Sequence, residues 1–155
     1  MNENPIPVTG EARRRGLLLI WGAQLMSLAL LFFLTYVVEP AGTGGNHALA
    51  WALGAVGFTT FIVSFLIKRK LLAQAAAKQR FDLGTTAYVL AFAMCELTAI
   101  LGFVAYIITG LSYALHSFVI AVAGLLLHFP PRGALDEIAP KDAKDASANL
   151  NKTDL

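Results

Sequence analysis

Apolar residues fall in four long runs, at about 17–38, 48–67, 84–108 and 113–129, and Glu96 is the only charged side chain within them. A hydrocarbon core of ~30 Å needs ~20 helical residues at ~1.5 Å rise. Three runs reach that length, and 113–129 lies at the lower end of the ~17–25 residue range. None alternates polar and apolar residues with a period of two, which argues against a membrane β-barrel. The pattern predicts an all-α integral membrane protein with four transmembrane helices.

The stretches between the runs carry stop signals. Residues 1–16, with Pro5 and Pro7, read as a short tail, and Pro40 with the glycines at 42, 44 and 45 ends helix one. The segment LLAQAAAKQ at 71–79 is built of strong helix formers, so helix two is expected to continue past the membrane. Pro130 and Pro131 end helix four. Residues 130–155 are mostly Ala, Asp, Lys and Asn, which bury too little surface to offset their ordering entropy, so a disordered tail is expected.

Composition sharpens this division. The 155 residues are one domain's worth, and at 57% hydrophobic, 14% charged and a mean hydropathy of +0.64 they are too apolar for a soluble core. All twelve Lys and Arg lie before helix one, between helices two and three, or after helix four. The other two loops carry none. By the positive-inside rule both termini and the middle loop face the cytoplasm, giving a multi-pass protein of the cytoplasmic (inner) membrane. The first run is too long for the core of a cleavable signal peptide. The net charge of +2 follows from this anchoring and implies no nucleic-acid binding. Expected partners are the lipid bilayer and other membrane subunits or a second copy of the chain.

Candidate chemistry is sparse. Cys95 is the only cysteine and has no disulfide partner. His47, His116 and His128 fall at different depths, so they do not form a facing pair of haem ligands. No Walker loop, zinc spacing or nucleophile elbow occurs, so no catalytic residue, metal site or cofactor is expected. Trp21, Trp51, Tyr36, Tyr88, Tyr106 and Tyr113 lie near the ends of the runs, where they would form interfacial belts.

Small residues recur at steps of three or four in three helices. Helix two presents Ala50, Gly54, Gly57, Thr60 and Ser64. Helix three presents Gly84, Ala87, Ala91, Cys95, Thr98 and Gly102, and helix four Gly110, Ala114, Ser117, Ala121 and Gly124. Such faces let helix backbones approach closely in lipid. The packing residues expected from them are Gly54, Gly57, Ala91, Cys95, Gly102, Ala121 and Gly124. Ala91→Leu is expected to disrupt these contacts, and Phe92→Leu, on the neighbouring face, to be better tolerated.

Glu96 is twelve residues into helix three, ~18 Å deep and near the bilayer midplane. An ionisable group there is costly and marks a candidate functional site. Gln24 and Ser27 of helix one and Thr59 and Thr60 of helix two lie at matching depth as polar partners. Three roles stay open for Glu96: a hydrogen-bonding pin between helices, a proton or cation site, or a contact to a partner protein.

The hairpin of helices two and three leads from a small-residue helix through AAAKQRFDL into YVLAFAMCELTAILGFVAYII. In this it resembles the proteolipid c subunits of rotary ATP synthases, over about 60 of the 155 residues. The resemblance implies that Lys78, Gln79 and Arg80 sit at the cytoplasmic loop and that Glu96 is the ion-binding acid. Helices one and four have no counterpart in a two-helix proteolipid. The sequence is therefore read as a non-catalytic accessory or helical subunit of a membrane complex, with a proton- or cation-coupled carrier and a proteolipid-like homo-oligomer as alternatives.

Overall fold

The structure, a computed structural model, describes residues 10–42 and 45–131. Of these, 87% are helical and none is in a strand. The predicted tail at 130–155 lies almost wholly outside the described residues, as do residues 1–9 and the two loop residues 43–44. Four helices follow in order: α1 Gly10–Val37, α2 His47–Lys78, α3 Phe81–Thr109 and α4 His116–Leu127, the last preceded by a 3-10 turn at Ser112–Leu115.

Three helices are long and apolar enough to cross a membrane. The helical stretch Ser112–Leu127 is shorter; at ~2.0 Å per residue in its 3-10 turn and ~1.5 Å in α4 it spans ~26 Å, short of a ~30 Å core. It is shorter than the apolar run at 113–129 because the α-helix stops at Leu127, before His128 and the paired prolines. At the other junction α2 continues through its alanine-rich stretch to Lys78, and the connection to α3 is only Gln79 and Arg80. Gln79 takes the left-handed conformation (φ 49°), and the Arg80 N–H closes the cap on Ala75 O at 3.0 Å. A similar cap on Gly110 (φ 69°) ends α3 and turns the chain into α4.

α3 is the hub. Of its apolar stretch 39% is buried, against 17% in α2 and 11% in α1. Every other helix packs on it, whereas α1 makes little contact with α2. The opposed pairs Gly57–Thr98 and Lys68–Tyr88 make α2 antiparallel to α3, and Ser27–Glu96 and Ala41–Ile107 make α1 parallel to it. All the flanks of described basic residues thus gather at one end of the bundle, called here the basic end.

α1 reaches the bundle through Leu17, Trp21, Gln24, Leu28, Leu31 and Thr35, spaced alternately by four and three residues. Leu17 and Leu28 are buried, and the Trp21 indole donates to Leu125 O at 2.9 Å. Phe92 is fully buried, since the face beside the small-residue face is covered by α4 and α1, so it belongs to the core. One sequence expectation needs correction: Tyr88 is also buried, beneath the Lys68 side chain, and takes no part in an interfacial belt.

Candidate functional site: a membrane carboxyl and a buried histidine cluster

The small faces of α2, α3 and α4 meet one another. A methyl group added to Gly57 would touch Thr98, one on Gly102 would lie 2.4 Å from Ser117 Cβ, and one on Gly124 would lie 2.8 Å from Cys95 Sγ and 2.9 Å from the Phe61 ring. Ala91, Cys95 and Ala121 are fully or almost fully buried in these contacts. The Thr98 hydroxyl shares its proton between Gly57 O across the seam at 3.0 Å and Met94 O of its own helix at 3.1 Å. Gly54 departs from the expectation: a side chain there would meet nothing within 4 Å.

Glu96 lies on the side of α3 that faces α1. The Ser27 hydroxyl donates to its Oε1 at 2.5 Å, joining two helices through residues 69 positions apart. Both side chains are half-buried. The other expected partners are not brought to it. Thr59 and Thr60 donate to Ala55 O and Val56 O of their own helix, because α2 packs on the opposite flank of α3. Gln24 shares the α1 face with Ser27, one turn nearer the basic end. Its Oε1 is buried without a hydrogen-bond partner.

A second polar group, not foreseen from sequence, lies between α2, α3 and α4 near the basic end. His128 and Ser64 are both fully buried. Ser64 Oγ is 2.6 Å from Phe61 O and 2.9 Å from His128 Nε2, and Lys68 Nζ is 3.4 Å from His128 Nδ1. A serine hydroxyl has one proton, and Phe61 O can only accept it. Nε2–H therefore donates to Ser64 Oγ, and Nδ1 is left to accept from the Lys68 ammonium. The result is a directional chain from Lys68 through His128 and Ser64 to a backbone carbonyl. Phe65 covers the imidazole at 4.3 Å between centroids, and Lys68 Nζ also sits 4.4 Å above the Tyr88 ring.

A signal for this cluster was present in the spacing. His128 follows Gly124 by four residues and so continues the small face of α4, while Lys68 follows Ser64 in the same way on α2. The remaining histidines are at the opposite end, where the His47 and Tyr113 rings stack and His116 Nδ1 lies 2.7 Å from Tyr113 O. Among the described residues no three His, Cys, Asp or Glu side chains converge as a metal site. Comparison with known proteins returns no family model that fits the chain and no matching curated protein or solved structure.

Proposed function

We propose that the chain is a non-catalytic four-helix subunit of the cytoplasmic membrane, both termini inside, that works alongside other membrane subunits or a second copy of itself. Its membrane carboxyl serves first as a pin between α1 and α3. The observation that carries this reading is the 2.5 Å bond from Ser27 to Glu96. α1 has no close-packed small-residue seam with α3, so polar bonds set its register, this one at mid-depth and the Ala41 N–H to Ile107 O bond just past its end.

A second role, proton carriage at the same carboxyl, is favoured by Gln24. Its buried, unpartnered Oε1 is an acceptor in want of a donor, one turn from Ser27. A protonated carboxyl is a donor of the kind this oxygen lacks, and Ser27, which bonds Glu96, lies one turn away on the same face of α1. Glu96→Gln keeps shape and hydrogen bonding while removing titration. Growth or function of this variant compared with wild type across roughly pH 6–8 separates the roles. Equal performance leaves the pin alone, whereas selective loss at one end of the range supports proton carriage. The topology is tested apart from this with Ser147→Cys. Labelling from outside intact cells by an impermeant thiol reagent would overturn the inward orientation, and buried Cys95 contributes no background.

A further inference from the structure

Between α1 and α3, at the basic end, lies an open groove of about 690 Å³. Gly16 and Ile20 form one wall, and Asp82, Thr86, Val89 and Ala93 form much of the other. The groove exists because α1 brings no small-residue seam to α3 and because Gly16 contributes no side chain where one would meet nothing within 4 Å. It differs from the pin above it: it stops at Ala93, a turn short of Glu96.

We infer that this groove binds one phospholipid, with an acyl chain between α1 and α3 and an amine-bearing headgroup at Asp82. Three features point to that occupant. From Asp82 to Ala93 the groove runs ~17 Å along α3, about half of a ~30 Å hydrocarbon core and so the depth of one leaflet. Its polarity follows a lipid's, with Asp82 and the threonines at the end of the bundle where the basic residues gather and only aliphatic side chains deeper in. Its charge fits an ammonium. Asp82 is the one acid between Lys68 and Cys95, and Thr86 has given its proton to Asp82 O at 2.8 Å, leaving oxygen lone pairs at the mouth. A carboxylate offers about four acceptor sites, so an ammonium binds Asp82 in addition to any protein partner. A helix of a second copy would require a groove along the full length of α3, and this one ends halfway.

The inference rests on the chain spanning a bilayer with its basic end at one surface. It is independent of what Glu96 does. The full-length protein, extracted in mild detergent, is titrated with phosphatidylethanolamine or phosphatidylglycerol and read by native mass spectrometry. One ethanolamine lipid per chain is expected to be retained. Gly16→Phe and Ala93→Phe should each weaken retention by about tenfold or more, and Asp82→Asn should abolish the preference between headgroups. Ile62→Phe places the same bulk on the exposed face of α2 and should change nothing, with circular dichroism confirming that all variants are folded. Retention unaffected by both groove-filling changes overturns the proposal, as does the absence of headgroup preference in the wild type. A two-chain species lost on filling the groove would assign the groove to a second copy instead. Failure of the Glu96→Gln test with lipid retention intact would discard the proton reading and leave this site standing.

Discussion

The two flanks of α3 are held by different means. On the α2–α4 side, glycine and alanine faces bring backbones together, the Thr98 hydroxyl bonds across the seam, and a sealed imidazole ties α2 to α4. On the α1 side, larger side chains interlock, a groove stays open, and isolated polar bonds span the contact: Ser27 to Glu96, Trp21 to Leu125 O, and the Ala41 N–H to Ile107 O just beyond the helix. In lipid there is little hydrophobic drive between helices, so stability follows packing closeness and polar bonds. The first flank is therefore the rigid half of the molecule, and the second is where helices have room to shift or a ligand to enter.

The sharpest way to break this comparison is to add the same bulk on each side. Gly102→Leu drives carbon into Ser117 and toward Ala114 O, a backbone atom that cannot swing aside. It should cost ~2–3 kcal/mol or more. Gly16→Leu, in open space, should stay within ~0.5 kcal/mol of the wild type. Thermal melting in detergent reads both. Similar melting of the two variants would mean that the flanks are not packed differently.

Next in size is the imidazole. His128→Ala removes a fully buried ring and strands the Ser64 oxygen and the Lys68 ammonium, an expected loss of ~2–4 kcal/mol. His128→Phe restores volume without the bonds and should recover only part of that, because the orphaned partners remain. A Phe variant as stable as the wild type would show that the site is held by shape, and the chain from Lys68 to Phe61 O would lose its energetic meaning.

What the sequence disclosed about these sites follows from what helix geometry encodes. Rise per residue is nearly constant, so counting from the run ends placed Ser27 level with Glu96 across 69 positions. The same count placed Thr59 and Thr60 there too, yet depth says nothing about which flank of α3 a helix occupies. Their hydroxyls bond their own backbone. Gly54 fails for a related reason: its spacing put it in line with Gly57, but no neighbouring side chain comes within 4 Å of where its own would be. His128 closes an apolar run beside two prolines, a position that by itself gives no sign of burial. Its phase on the small face of α4 pointed inward, and that phase outweighed its position at the run's end.

The smallest expected effect is the energy of the pin itself. Ser27→Ala removes the donor to Glu96 Oε1, Glu96→Leu removes the acceptor, and the double variant removes both. A double-mutant cycle read by melting should give a coupling of about 0.6 kcal/mol, with ~1.7 kcal/mol an upper value for such bonds in membranes. The coupling is modest because the separated groups find other partners, and the unpartnered Gln24 Oε1 is one turn from Ser27 to offer one. Gln24→Leu removes that reserve acceptor, so repeating the cycle in its background should raise the coupling. Zero coupling in both backgrounds would mean that α1 is held by Leu17, Trp21 and Leu28 and by the Ala41–Ile107 backbone bond, without the pin. The carboxyl would then owe its place in the membrane to a task other than holding the bundle, and the proton role would become the stronger reading of Glu96.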